Sequence, residues 1–217
     1  MSMQEEVVVS CPRCGKAAHG VRWATANVKL NPELRQQVLT GQIRTTQCPA
    51  CTHRFPVDHH FLYHDMDVRF MISYQPTRDG VSRPIPSIPL DLMQQSLPDY
   101  KLRFVTTWNQ LREKILIFDS FLHDLPVEII KFVLGAEIFG TLEFGDDGIY
   151  FLEAQQNSQG ELQLVFGAFR NGELLTEAAY PYEGYMKAFK DAERRFGARF
   201  ALGEWLTINQ SSFRKRT

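Results

Sequence analysis

Apolar residues recur along this chain with two periods, and the switches between them predict its elements. Val7, Val8 and Val9 within Glu5–Ser10 predict a short strand, and Val21, Trp23 and Thr25 alternate with Arg22 and Ala24 as a half-buried strand does. Asn31-Pro32-Glu33 predicts a helix start with Asn31 as the cap; Leu34 and Val38 share one face with Leu39 beside them, and Gly41 ends the helix. Ile43–Gln47 predicts a strand, and Phe55, Val57, His59 and Phe61 predict another. Val68, Phe70, Ile72 and Tyr74 alternate strictly, and Leu102, Phe104 and Thr106 repeat the pattern. Between them, Pro76–Pro89 predicts an extended loop and Leu90–Leu97 a short helix.

The period then lengthens. Thr107 and Gln110 have the spacing of a capping box, and Leu111, Ile115 and Phe118 follow on one helical face. Asp124-Leu125-Pro126 opens a second helix, apolar at Ile129, Ile130, Phe132 and Val133 and therefore central. Arg112, Glu113, Lys114, Glu128 and Lys131 admit two readings, a polar site or the solvated sides of these two helices, and the second is favoured. Beyond a turn at Asp146-Asp147-Gly148, three strands are predicted at Ile149–Glu153, Leu162–Phe169 and Glu173–Ala179, the last two joined by Asn171-Gly172. A helix over Tyr182–Phe196 carries Tyr185, Phe189, Ala192 and Phe196 as its stripe, with Gly197 as its stop. The fold class is α+β: a zinc ribbon-like N-terminal module, a mixed region, and a C-terminal antiparallel meander covered by a helix. The expected division is a zinc-binding domain over 1–134 and a C-terminal region over 135–217 that packs on it.

The four cysteines add chemistry to this outline. Cys11-Pro12-Arg13-Cys14-Gly15 and Cys48-Pro49-Ala50-Cys51 are two C-x₂-C turns separated by 33 residues. Two residues between cysteines aim both sulfurs at one point, and two such turns build a tetrahedral S₄ cage suited to Zn²⁺. Gly15 supplies the left-handed backbone that folds the chain back behind the first pair. With Cys11, Cys14, Cys48 and Cys51 all engaged, no coordination position is left for water or substrate, so one structural zinc per chain is expected; an S₄ site also suits iron.

Composition excludes several classes. Net charge is −1 over 217 residues, which offers no general field for nucleic acid. Residues 1–58 are mildly basic, with seven Lys and Arg against four Asp and Glu. No apolar run reaches the roughly 18–20 residues that span a bilayer, and Met1–Glu6 is polar and acidic, so no membrane association and a cytoplasmic location are expected.

The cysteine turns, the intervening Asn31-Pro32-Glu33-Leu34 and Leu39-x-Gly41, and Tyr63-His64-Asp65 together resemble the CpXC family. Leu102-Arg103-Phe104-Val105, Asn109-x-Leu111-x-Glu113-Lys114-Ile115, Phe118-Asp119 and Glu128-x-x-Lys131 are similar to it as well, over about residues 7 to 134. Where some of its sequences carry an acidic pair, this chain has His123-Asp124. The resemblance implies a zinc-binding domain named for its cysteine motifs and supplies no reaction.

Three functions fit the residues. The first is a binding module that presents a surface, with a protein partner preferred over nucleic acid, for which Arg13, Lys16, Arg22 and Arg54 are the candidate contacts. The second is an enzyme drawing on His59, His60, His64, Asp65 or His123 in a cleft between segments, although no phosphate loop, G-x-S-x-G or H-E-x-x-H accompanies them. The third is self-association through a strand edge. The basic tail Phe213–Arg216 is expected to be solvated.

Overall fold

The computed structural model of the chain describes residues 2–76, 96–139 and 148–209. The chain divides into two compact units. The first comprises Met1–Arg112 and Leu202–Trp205, the second Glu113–Ala201 and Leu206–Thr217. The expected Pro76–Pro89 loop and Leu90–Leu97 helix fall largely outside the described residues, and Asp146-Asp147 and the Phe213–Arg216 tail fall wholly outside them.

The first unit is built on a sheet. β1 (Met3–Ser10) and β2 (Ala17–Asn27) form an antiparallel hairpin that carries the first cysteine turn at its tip. β2 runs parallel to β5 (Phe61–Asp65), β5 antiparallel to β6 (Phe70–Tyr74), and β6 parallel to β7 (Lys101–Val105). Among the described residues the sheet order is β1-β2-β5-β6-β7-β11, β11 being Trp205–Leu206. Every residue of β6 is buried, although the sequence alternates, so both faces of the sheet are covered at its centre. Tyr63 stacks on Phe70 at 5.6 Å, and Trp108 packs edge-on to Tyr74 at 5.3 Å.

α1 (Glu33–Thr40) buries Leu34 and Val38 as its sequence requires. Its cap is Pro32 rather than Asn31, whose amide side chain instead donates to Glu33 at 3.3 Å. Trp108 Nε1 donates to the Val38 carbonyl at 3.2 Å, which also accepts the Gly41 N–H at 3.1 Å at the helix end. The strand predicted over Ile43–Gln47 begins as a 3₁₀ turn at Gln42–Arg44, and only β3 (Thr45–Gln47) is extended. The single strand predicted from Phe55 to Phe61 is also interrupted. β4 (Arg54–Pro56) pairs with β3, and Val57 N–H turns away to the Arg44 carbonyl at 2.8 Å before β5 begins.

The second unit joins helices to a meander. α2 (Trp108–Asp119) starts on the predicted capping box: Gln110 N–H donates to Thr107 Oγ1 at 3.2 Å, and Gln110 Oε1 accepts from Thr106 and Thr107. The division between the units falls inside this helix. α3 (Asp124–Phe139) is followed by β8 (Gly148–Gln156), β9 (Leu162–Arg170) and β10 (Glu173–Pro181), ordered β10-β9-β8 and all antiparallel. α3 packs on β8 and β9, and α4 (Tyr182–Phe196) on β9 and β10. Gly197 does not stop α4 in a left-handed cap; its backbone stays right-handed and continues as a 3₁₀ turn to Phe200. Tyr185 Oη accepts the His123 N–H at 2.9 Å, which ties α4 to the start of α3. The fold is the mixed α+β class expected, with the cysteines in its N-terminal region and the meander followed by its helix. Among the described residues no helix is long and apolar enough to cross a membrane.

Candidate metal centre

The two cysteine turns are copies of one backbone design. In the first, Cys11 N–H donates to Lys16 O and Gly15 N–H to Cys11 O, both at 2.9 Å. In the second, Cys48 N–H donates to His53 O and Thr52 N–H to Cys48 O, again at 2.9 Å. Each turn needs a left-handed residue directly after its second cysteine: Gly15 at φ 71° and Thr52 at φ 57°. The first turn closes the β1–β2 hairpin and the second closes β3–β4. Ala18 and Phe55 pack beneath the sulfurs with Cys11 and Cys48, and Val9 and Val57 flank them.

The four Sγ atoms all lie within 4.8 Å of one another. Cys11 Sγ is 3.7 Å from Cys51 Sγ, and Cys14 Sγ is 3.6 Å from Cys48 Sγ. A disulfide would bring two sulfurs to about 2.05 Å. Zinc at about 2.3 Å from each sulfur sets tetrahedral neighbours about 3.8 Å apart, close to what is found here. The electrostatics suit a cation as well. Burial opposes the Cys48 thiolate, but N–H groups of Ala50 and Cys51 and the thiols of Cys14 and Cys51 outweigh it and bring Cys48 down to about 6. The N–H of His53 favours a Cys51 thiolate, yet burial and the crowding sulfurs of Cys14, Cys48 and Cys11 push its thiol up to about 12. Cys48 and Cys51 are thus driven in opposite directions, and a divalent cation supplies the charge that lets both ligate as thiolates. The group can hold a metal ion, and its closed S₄ donor set is that of a structural site.

Thr52 marks the weaker copy. A β-branched residue at positive φ is strained by about 1–2 kcal/mol, against about 0.5–1 kcal/mol of extra chain entropy lost by a glycine. Thr52→Gly is therefore expected to stabilise the metal-loaded protein by about 0.5–1 kcal/mol. Thermal melts of the two proteins at equal metal content check this, and a lower melting temperature for the glycine variant would count against the strain.

The basic candidates divide. Arg13, Lys16 and Arg54 are exposed on or beside the turns. Arg22 is held by Glu5, with Nε and Nη2 at 2.9 and 2.6 Å from one carboxylate oxygen. Of the acid–base candidates, His59, His64, Asp65 and His123 are engaged locally, whereas His60 Nδ1 is buried without a hydrogen-bond partner among the described residues. Both ring nitrogens of His59 face backbone carbonyls, Val57 O at 2.9 Å and Trp23 O at 2.7 Å. Asp65 accepts the N–H groups of Asp67 and Val68 at 2.9 Å each and so holds the β5–β6 turn. His60 is lowered chiefly by burial, with His59 and Arg22 adding to it. His64 lies between Asn27 and Tyr100 at 3.4 Å each, and burial takes it down to about 4. His123 belongs to the second unit, where its ring stacks on Phe200 at 4.1 Å and its Nδ1 accepts the Leu125 N–H at 3.2 Å.

One group of charges departs from expectation. Glu113, Lys114, Glu128 and Lys131 are not on solvated helix faces; with Asp124 they are buried, each at most 4% exposed, and only Arg112 faces solvent. They form an alternating line. Lys114 Nζ meets Asp124 Oδ2 at 3.0 Å and Glu128 Oε1 at 2.9 Å; Lys131 Nζ meets Glu128 Oε2 at 3.1 Å and Glu113 Oε2 at 2.7 Å. The 3.1 Å contact is an ion pair without hydrogen-bond alignment, since Glu128 Oε2 has no hydrogen-bond partner. Glu113 Oε1 then accepts the Phe151 N–H at 2.7 Å, joining α2 and α3 to β8. Burial pushes Glu113 up; Glu128 is pulled down because Lys114 and Lys131 outweigh the same penalty. Helical spacing alone could not reveal this, because a charged residue facing a partner and one facing water occupy the same positions of the repeat.

Comparison with curated proteins finds none that matches this chain. No solved structure matches it either. The family model described as CpXC protein matches residues 9–131, a stretch that takes in both cysteine turns and ends at Lys131 of the buried charge line. That is more than half of the 217 residues, and this chain belongs to the CpXC family.

Proposed function

We propose that the chain is a zinc-stabilised binding module in which the metal fixes the two turns and the β1–β2 hairpin offers a surface to a protein partner. The convergence of four sulfurs within 4.8 Å carries the metal half of this reading. Zinc is assigned because a closed tetrahedral thiolate set is its commonest structural environment, with one ion per chain. The surface half is supported by the hairpin itself. β1 is the outer strand of its sheet among the described residues, so one row of its backbone groups faces outward. Val8, 62% exposed, and Val21, 51% exposed, stand on one face of the hairpin as cross-strand diagonal neighbours. A protein partner is preferred to nucleic acid because Arg22 is spent on Glu5, which leaves Arg13, Lys16 and Arg54 in a chain of net charge −1.

A Val8→Glu, Val21→Glu double variant tests the surface directly. It is expected to keep its zinc and its fold while losing a partner that the parent protein captures from cell lysate. Retention of the same partner by the variant would reject this surface. Tight binding of single-stranded or duplex DNA at low salt, weakened by Arg13→Ala and Lys16→Ala, would replace the protein partner with nucleic acid.

A further inference from the structure

The second unit carries a cleft that the metal centre does not explain. It has a volume of about 400 Å³ and runs along α4, facing α3, with Tyr180 at the end of β10 as one of its walls. Such a volume lies at the lower end of the roughly 300–1,000 Å³ typical of small-molecule sites. Its floor is apolar: Ile129 and Phe132 come from α3, Phe196 from α4, and all three are only partly buried. The α4 side is hollow because Gly184, Ala188 and Ala192 recur every fourth residue and fall on one helical face. At Gly184 a Cβ would lie 2.7 Å from Tyr180 Cε1, so the missing side chain is what allows the tyrosine ring to close against the helix.

The charges on the wall are asymmetric. Lys187, Asp191 and Arg195 line the cleft at successive turns. Asp191 is already paired with Arg194 at 3.0 Å. Lys187 and Arg195 have no acidic partner among the described residues, and eight residues of helix set them about 12 Å apart. A basic residue in the last turn of a helix complements its dipole, which accounts for Arg195 but not for Lys187 two turns earlier. The wall thus carries two cations and one carboxylate, and with Asp191 drawn to Arg194 its balance is positive, complementary to a molecule with an apolar tail and an anionic head.

We propose that this cleft binds an alkyl-chain anion, its tail on Ile129, Phe132 and Phe196 and its carboxylate or phosphate head on one of the two cations, Lys187 or Arg195. The proposal is independent of the zinc and partner reading, since the cleft lies wholly in the second unit. Titrations of the full-length protein with dodecanoate and with dodecyl phosphate, each below its micelle-forming concentration, test it. At least one is expected to bind at one per chain with a Kd below about 100 µM. The stronger of the two identifies the head group as carboxylate or phosphate. Lys187→Glu with Arg195→Glu, both at exposed positions, is expected to weaken binding at least about tenfold, and Ala188→Leu to do the same by filling the trough. Circular dichroism and melting of each variant should match the parent. Equal binding of dodecyltrimethylammonium, unchanged affinity in the variants, or no binding of either anion would overturn it.

Discussion

Cys48→Ser is expected to reduce the metal content from about one ion per chain to a small fraction of that, and to unfold the two turns with it. Cys48 is fully buried, and its sulfur is the one towards which the neighbouring thiols and N–H groups point. An oxygen there leaves three sulfurs and a poor fourth donor for a soft-leaning ion. The apparent free energy of structural zinc binding is about 10–16 kcal/mol in small zinc domains, as large as the whole net stability of a typical fold at about 5–15 kcal/mol. β3 and β4 are three residues each, too short to persist as an isolated pair, and the core beneath them contains two of the ligands themselves. Elemental analysis gives the stoichiometry, and a colourless protein distinguishes zinc from iron. Amide exchange at Cys11, Gly15, Cys48 and Thr52 reports the turns, because those N–H groups close them. If the serine variant and a chelator-stripped parent both kept these amides protected and melted like the loaded protein, the sulfurs would not be holding a structural ion.

The cysteine turns were legible because their chemistry is local. C-x₂-C spacing aims two sulfurs wherever it occurs, and the paired backbone hydrogen bonds at Cys11 and Cys48 are set within six residues each. The Tyr182–Phe196 helix and the Asn171-Gly172 hairpin were legible for the same reason: the apolar stripe of the one and the turn of the other lie inside the segment. Sequence missed whatever depended on distant partners. Phe55 to Phe61 alternates like one strand, yet the chain breaks after Pro56 because β4 belongs to the cysteine turn and β5 to the main sheet. His59 then serves as a tie between the Val57 and Trp23 carbonyls instead of a strand residue. Phe70 to Tyr74 alternates but is buried throughout, a consequence of layers on both sides of the sheet that no local pattern records.

The same limit hid the buried charges, and they carry the second large effect. Glu128→Gln is expected to cost about 3–5 kcal/mol, because it removes the one carboxylate that touches both lysines and leaves two ammonium groups in the core with half their compensation. For a unit of this size, a loss of that order lowers the melting temperature by roughly 15–30 °C. Arg112→Ala on the exposed side of α2 is the internal control, with an expected change within about 0.5 kcal/mol. The acid response follows with a definite sign. Glu128 has a folded-state pKa below its ordinary value, so its contribution is complete above the usual carboxylate range and disappears as pH falls through that range and below. Glu113 is raised by burial and acts in the opposite direction, binding its proton more tightly in the folded state than in the unfolded one. Glu128→Gln should therefore flatten the acid branch of the stability curve, whereas Glu113→Gln, which keeps an acceptor for the Phe151 N–H, should steepen it. Denaturant melts from neutral to acid pH distinguish the two. A Glu128→Gln cost below about 1 kcal/mol at neutral pH would mean that water or a rearranged partner reaches these lysines, and the line of charges would not be the tie that joins α2, α3 and β8.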